Sequence, residues 1–280
     1  MHSPYLSTLR GLSNLSMKLR FFLLVLSLSL FLFGCKKDEE DRDATVAKDH
    51  SIANAFFNDL YRVVDESAEN TAGIRALECV QSIEVDTLSS PKSILIDFGN
   101  DPNCTDQLGV NRRGQIVATF TGRYRNTGTV ITIMPMNYRV DGYALSGTKT
   151  VINEGLNPAG QLYFSVSVDN GQVTHPDGDY TFSWNSNTTR TWVEGNNTWW
   201  HVDDEYQVIG TASGVDRSGN PFTVSTQSPM RFTVVCPWIT RGVLKISPEG
   251  KLERILDYGN GSCDNDAVFS IGDYQTNILI

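Results

Sequence analysis

Aromatic side chains crowd one short part of the chain, between residues 180 and 206. Tyr180, Phe182 and Trp184 alternate, as residues on one face of a strand do. Four of the five tryptophans lie in this band, and the candidate ligand-binding residues are those on the strands that follow: Trp192, Trp199, Trp200 and Tyr206. Aromatic rings stack on sugar rings, and they also fill the cores of sheets. The band therefore indicates a glycan platform or a packed core.

Two short turns carry paired carboxylates, Asp177 with Asp179 and Asp264 with Asp266. Oxygen ligands close together in a turn suit calcium, although neither turn has the complete loop, ending in glutamate, of an EF-hand. Such pairs are also ordinary turn chemistry. Calcium is thus the one ion that the sequence suggests as a ligand, and no other cofactor is expected.

Catalytic patterns are sparse. There is no G-x-S-x-G elbow, and His201, which lies near Asp203 and Asp204, has no nucleophile close to it in sequence. An ordinary histidine at a strand end explains it better than a general base. We expect a non-enzymatic protein. A glycan-acting hydrolase stays as an alternative, since its two carboxylates can be distant in sequence.

Five cysteines divide into one near the N-terminus and four others. The latter are Cys79, Cys104, Cys236 and Cys263, an even number that favours disulfides in an exported protein. A zinc site with four thiolates usually has close C-x-x-C pairs, and this chain has none.

An internal repeat suggests how these four cysteines pair. Cys79 precedes a Ser-Pro turn and the phrase Asp97–Asn100, and Cys104 follows; Cys236 precedes a second Ser-Pro and the phrase Asp257–Asn260, and Cys263 follows. Residues equally distant from the turn of an antiparallel hairpin face each other. We therefore predict the disulfides Cys79–Cys104 and Cys236–Cys263, within repeats at about 79–118 and 236–280.

The N-terminus has the pattern of a signal peptide. Lys18 and Arg20 precede an apolar run of 14 residues, 21–34, which is shorter than the ~20 residues of a membrane-spanning helix. The run ends in Leu-Phe-Gly-Cys, which resembles the lipobox of bacterial lipoproteins, with Cys35 as the lipid-bearing residue. Met17 lies just before the basic residues, so translation is expected to start there or at Met1. Residues 1–34 are thus predicted to be a lipoprotein signal peptide.

Residues 35–43 start with this cysteine, continue as an acidic stretch and are expected to be a tether. Its sequence Lys36-Lys37-Asp38-Glu39-Glu40 resembles the surface-export signal of Bacteroidetes-type lipoproteins; an ordinary charged linker is the alternative. Three of the 23 basic residues lie in 1–34, which leaves 20 basic against 32 acidic residues and a net charge of −12. Because nucleic acids and anionic lipids bind clustered basic residues, neither is an expected partner of the domain.

The rest of the chain predicts an all-β fold with one helix. In 44–70, Ile52, Phe56, Leu60 and either Val63 or Val64 recur at helical spacing. From 71 to 280, short β-branched and aromatic runs alternate with turn residues, among them Asn170-Gly171 and Asn185–Asn187. We expect a single β domain, an antiparallel meander that forms a large sheet, a sandwich or a half-barrel, with one N-terminal helix and two disulfide-stapled hairpins.

Together these motifs resemble a group of poorly characterised Bacteroidetes surface lipoproteins. The matching residues are Asp257–Asn265, which read DYGNGSCDN, and Tyr206–Gly210, which fit Y-x-V-x-G. The resemblance covers most of the chain after Cys35 but implies no activity. Asp86-Thr87-Leu88 also matches the short O-glycosylation pattern of such cells, with Thr87 as the acceptor.

These observations predict a lipoprotein held in the outer membrane through Cys35 and facing the cell exterior. Its β domain is expected to bind or scaffold, with a glycan or a protein as ligand. A structural envelope protein without a small ligand is the alternative that an inward-facing aromatic band would favour.

Overall fold

The computed structural model describes residues 41–68, 79–103, 105–106, 109–198, 203–236 and 238–280. Residues 41–280 form one compact unit that begins with a helix, α1, Thr45–Ala68. Asp43 accepts a hydrogen bond from the Thr45 backbone N–H at 3.0 Å, which satisfies one of the free donors at the helix start. In the described part of the chain, no helix has the length and hydropathy needed to cross a membrane.

In the described residues, thirteen strands follow α1 in one antiparallel sheet, and each strand pairs with the next along the chain. This confirms the predicted all-β meander, and of the three forms considered it is the large single sheet. The strands are β1 Ser82–Asp86, β2 Lys92–Asp97, β3 Arg112–Phe120, β4 Val130–Val140, β5 Tyr143–Leu156, β6 Leu162–Thr174, β7 Thr181–Glu194, β8 Glu205–Val215, β9 Pro221–Thr233, β10 Arg241–Pro248, β11 Arg254–Asn260, β12 Asp266–Ile271 and β13 Tyr274–Leu279.

The sheet encloses much of α1. Viewed down the helix axis, the buried residues form an arc that starts at Val63, passes Val64 and ends at Ser51. At 100° per residue they cover roughly 240° of the helix circumference, more than the stripe of about 100° that a helix lying on a flat surface buries. The helix contacts strands from β2 to β10. The inner face of the curved sheet and α1 therefore share one core.

Two predicted turns are wrong. Asn170-Gly171 lies inside β6, where the pairing with β7 shifts register, and Asn185–Asn187 lies inside β7, which is continuous. Asn170 has φ +55°, so its backbone has the left-handed conformation that asparagine tolerates, but it forms a bulge rather than a reversal.

The repeated phrase has the same local structure in both places. The Asp97 carboxylate accepts the backbone N–H of Gly99 at 2.7 Å, and the Asp257 carboxylate accepts that of Gly259 at 2.9 Å. Both glycines have positive φ, +66° and +86°, a conformation that residues with a Cβ atom rarely adopt. Since β1 and β10 are nine strands apart in an antiparallel meander, the two related hairpins point in opposite directions.

The predicted disulfide Cys236–Cys263 is confirmed; it joins the β9–β10 and β11–β12 connections. Cys79 is also disulfide-bonded. Its predicted partner, Cys104, lies outside the described residues, so the pairing of Cys79 with Cys104 stays a prediction.

Candidate functional site

The predicted ligand-binding aromatics point inward where the structure describes them. Trp192 on β7 and Tyr206 on β8 are paired across the two strands, with ring centroids 5.3 Å apart. Trp192 is 2% exposed and Tyr206 is 6% exposed, so neither offers an open face to a sugar in solution. They do not form an exposed platform, because the alternation of β7 turns Trp184 and Trp192 toward the core. Ligand binding by Trp192 and Tyr206 stays a prediction. Trp199 and Trp200 lie outside the described residues, as does His201.

A cation lies among these rings. Arg190 is two positions before Trp192 on β7 and so projects from the same inner face. Its guanidinium carbon is 3.6 Å from the centroid of the Tyr206 ring and 5.0 Å from that of Tyr61 on α1. A second arginine, Arg125, lies over Trp192 at 4.5 Å. We call the following residues the arginine–aromatic cluster: Tyr61, Tyr124, Arg190, Trp192 and Tyr206.

Several polar groups of the arginine–aromatic cluster have no hydrogen-bond partner. Within the described chain, this holds for three buried atoms, Tyr61 Oη, Tyr124 Oη and Trp192 Nε1. The two phenol hydroxyls are close enough to affect each other's pKa, but they form no bond of normal hydrogen-bond geometry. Arg190 makes ring contacts but forms no hydrogen bond or ion pair with the residues that the structure describes. A buried donor without a partner costs about 1–3 kcal/mol. The cluster therefore contains donors that no residue of the described chain satisfies.

All of these donors keep their protons at neutral pH. Burial raises the pKa of the Tyr61 hydroxyl well above its usual value and raises the pKa of Tyr124 to about 12. Burial also raises the pKa of Tyr206. For Arg190, burial opposes the charge, but the neighbouring phenols and Asp65 raise its pKa above the usual value. The cluster therefore combines a permanent cation with neutral hydroxyl donors.

Lys149 on β5 joins the inner face of the sheet to α1 near the arginine–aromatic cluster. Its Nζ donates to the carbonyl oxygen of Phe57 at 3.0 Å and to Asn58 Oδ1 at 3.1 Å. Lys149 is 4% exposed, and burial together with the charge of Arg190 lowers its pKa to about 7. Neither Arg190 nor Lys149 was predicted as a site residue. The only sequence signal for Arg190 is that it lies at an even spacing from Trp184 and Trp192, and therefore on the same face of β7.

The predicted carboxylates at 177 and 179 are joined by His175. The three side chains, on the β6–β7 turn, bring ligand atoms within 4.8 Å of one another. Asp177 is 76% exposed, and His175 packs between Tyr143 and Tyr180. Calcium takes six to eight oxygen ligands, and this group offers carboxylate oxygens from two residues together with one imidazole nitrogen. Calcium binding here stays a prediction.

The other predicted pair, Asp264 and Asp266, lines a shallow groove. Asp257 lines the same groove, and the volume of the groove is about 160 Å³. The carboxylate of Asp264 accepts the backbone N–H of Asp266 at 3.2 Å, which is ordinary turn chemistry. Among the described residues, these three carboxylates do not form a group that converges to metal-binding distances.

Thr87, the predicted O-glycosylation acceptor, is exposed in the β1–β2 turn. The preceding Asp86 accepts hydrogen bonds from the backbone N–H groups of Leu88 and Ser89 at 2.8 and 3.0 Å. These bonds hold the turn and leave the Thr87 side chain on the surface. Glycosylation of Thr87 stays a prediction.

Cys35 lies outside the described residues, which begin at Asp41, and residues 41–43 are attached to the sheet. Asp41 pairs with Arg254, which is fully buried, at 2.6 Å, and Asp43 pairs with Lys251 at 3.1 Å. The guanidinium of Arg42 lies 4.9 Å from the centroid of the Tyr274 ring. The last residues of the predicted tether therefore belong to the folded unit. We call residues 41–49 the leading segment.

Comparison with known proteins adds no relative. No family model, no curated protein and no solved structure matches the chain. What the fold and the site define is a 13-stranded antiparallel sheet around a helix, with a donor-rich arginine–aromatic cluster on its inner face.

Proposed function

We propose that this chain is a lipoprotein of the outer membrane, anchored through Cys35 and facing the cell exterior, whose β domain binds a ligand. The lipobox-like end of the signal peptide and the acidic stretch after Cys35 support the anchor. The observation that carries the binding function is the arginine–aromatic cluster, in which a guanidinium and three buried polar atoms lack hydrogen-bond partners among the described residues.

The chemistry of the cluster favours a glycan that bears a carboxylate. A guanidinium binds a carboxylate through two parallel hydrogen bonds, and acidic sugars carry such a carboxylate. Arg190 is half-buried and so provides the route of approach.

Binding to an array of neutral and uronic-acid-containing oligosaccharides tests this proposal, with Arg190→Met as the variant. We expect the protein to bind carboxylate-bearing glycans and the variant to lose that binding. Arg241→Met, which removes an exposed arginine that donates to a backbone carbonyl, is the matched control and should bind like the parent. Equal binding by Arg190→Met, or no glycan binding by the parent protein, would refute the glycan assignment.

The anchor is tested separately by metabolic labelling with a fatty acid and by membrane fractionation. The parent protein should carry the label and sediment with outer membranes, whereas Cys35→Ser should lose both properties. Protease added to intact cells should degrade a protein that faces outward. Label retained by Cys35→Ser would show that Cys35 is not the lipidated residue.

A structural role in the envelope, without a small ligand, is the second candidate function. The observation in its favour is that Trp192 and Tyr206 face the core. In that case Arg190→Met should lower thermal stability with no glycan bound by either protein, and deletion of the gene should increase the sensitivity of the envelope to detergent.

A further inference from the structure

The leading segment is attached to one end of the sheet. In an uninterrupted antiparallel meander, the turns that follow even-numbered strands all lie at one end. Asp49 pairs with Arg217 in the β8–β9 turn, Asp41 and Asp43 pair with residues at the β10–β11 turn, and Arg42 contacts Tyr274 just after the β12–β13 turn. We call these three turns, 216–220, 249–253 and 272–273, the anchor rim.

Aromatic contacts extend the same end to neighbouring turns. The guanidinium of Arg217 lies 4.2 Å from the centroid of the Tyr180 ring, and Tyr180 contacts His175 with centroids 4.6 Å apart. His175 in turn meets Tyr143, the first residue of β5, edge to face. The turns from β4–β5 to β12–β13 thus form one continuous edge around the start of the helix.

The covalent chain limits how far this edge can be from Cys35. Five residues separate Cys35 from Asp41. Whatever conformation they have, six steps of at most ~3.6 Å reach no more than about 22 Å. The 11 residues of β8 span roughly 36 Å along the strand, or about 28 Å at a strand tilt of ~40°. If the opposite end of the sheet rested on the membrane, Asp41 would therefore lie beyond the reach of an anchor at Cys35.

Side chains on the anchor rim suit a lipid surface. Leu252 is 61% exposed at the tip of the β10–β11 turn, next to Lys251. An exposed leucine with a neighbouring lysine can insert its apolar part among lipid headgroups while the ammonium stays in water. On the opposite end lie the Cys236–Cys263 disulfide and the exposed Val235 and Trp238 of the β9–β10 connection.

We infer that the anchor rim rests against the lipid surface, with Leu252 at the interface, and that the end carrying the Cys236–Cys263 disulfide points away from the membrane. This inference rests on the proposed lipidation of Cys35. It also places the arginine–aromatic cluster, which lies near the β3–β4 and β7–β8 connections, toward the end away from the membrane.

The test compares two exposed leucines at opposite ends of the sheet. Leu252→Cys and Leu156→Cys introduce one thiol each, at positions 61% and 64% exposed, and each thiol carries an environment-sensitive fluorophore. The acylated protein is placed on phosphatidylcholine vesicles that contain a headgroup-spin-labelled lipid. We expect the fluorophore at 252 to lose most of its emission by quenching and the fluorophore at 156 to keep it. Equal quenching, or stronger quenching at 156, would overturn the orientation.

Two further measurements separate this inference from the anchor itself. Intact mass shows whether Cys35 carries acyl groups, and their absence refutes the anchor alone. In that event the same fluorophores report on a chain in which a hexahistidine tag replaces residues 1–35 and binds a nickel-chelating lipid. Labelling of the parent protein, without an introduced thiol, gives the background.

Discussion

Trp184 on β7 donates its indole N–H to Nδ1 of His50 on α1, at 3.0 Å, with both side chains buried. Because Nδ1 accepts this bond, the imidazole is neutral and carries its proton on Nε2, which has no partner among the described residues. Burial lowers the pKa of His50 to about 4. The bond thus joins the helix to the sheet only while His50 is uncharged.

Acid should weaken the fold through His50. In the unfolded chain the histidine takes up a proton near pH 6.5, whereas the folded protein resists it until about pH 4, so the unfolded state binds more protons between these values. The free energy of unfolding should fall by up to ~3 kcal/mol as pH decreases through this window. Urea denaturation at intervals from pH 7 to 4 measures this change.

His50→Asn isolates the effect, since its side-chain oxygen can replace Nδ1 as acceptor and does not titrate. We expect the variant to lose most of the pH dependence between 6.5 and 4. His175→Asn, a matched change on the β6–β7 turn, should keep the parent's dependence. A parent-like slope in His50→Asn would show that other groups cause the acid sensitivity.

Lys149 should make the free energy of unfolding depend on pH in the alkaline range. Its pKa is about 7 in the folded protein and near 10.5 in the unfolded chain, so the unfolded state binds the extra proton between these values. The free energy of unfolding should therefore rise with pH from 7 to 10.5, with a slope of at most ~1.4 kcal/mol per pH unit.

Lys149→Met should remove that rise, and Lys92→Met, at an exposed position, should not. Chemical denaturation at pH 7, 8.5 and 10 makes the comparison; equal slopes in all three proteins would contradict this role of Lys149.

Arg112 on β3 is the centre of a buried ion-pair group. It donates to Asp59 on α1 at 2.7 and 2.9 Å and to Asp106 at 2.7 Å, and it is 1% exposed. Burial would raise the pKa of Asp59, but the hydrogen bonds and charge of Arg112 lower it below its usual value. Removing the guanidinium leaves these carboxylates buried without their main cation.

Arg112→Met should therefore cost about 3–5 kcal/mol of unfolding free energy, as expected when one partner of a buried ion pair is removed. Lys245→Met breaks a solvent-screened surface pair, Lys245–Glu253, and should cost much less stability than Arg112→Met. Urea titrations of both variants at pH 7 provide the values. Similar small losses in the two proteins would mean that the Arg112 group contributes no more than a surface pair.

The features predicted correctly from sequence are those set by local patterns. Alternating side chains predicted the strands of the meander, and the repeated phrases around Asp97 and Asp257 predicted equivalent hairpins. Each phrase forms its bend through a bond between an aspartate and a glycine two residues later. Such a bond needs no distant part of the chain.

The wrong predictions depend on distant contacts. Asn170-Gly171 has the chemistry of a tight turn, yet a Cβ on Gly171 would lie 2.2 Å from the backbone oxygen of Trp184. The glycine is needed for close approach of two strands, and sequence alone does not distinguish that need from a reversal. Arg190 was missed for a related reason, because its neighbours Tyr61 and Tyr206 come from the helix and another strand.

The Cys236–Cys263 disulfide should stabilise the fold measurably. It closes a loop with a sequence separation of 27 and lies at the end of the sheet opposite the anchor rim. In the loop-entropy model such a bond stabilises a fold by about 3–4 kcal/mol. Cys236→Ser combined with Cys263→Ser should lower the free energy of unfolding by that amount, measured by urea denaturation without reductant.

The parent protein in reductant should lose more stability than this double variant, since the disulfide at Cys79 opens as well. The difference between the two losses measures the contribution of the disulfide at Cys79. A double variant as stable as the parent would show that β10 and β11 hold their pairing without the disulfide.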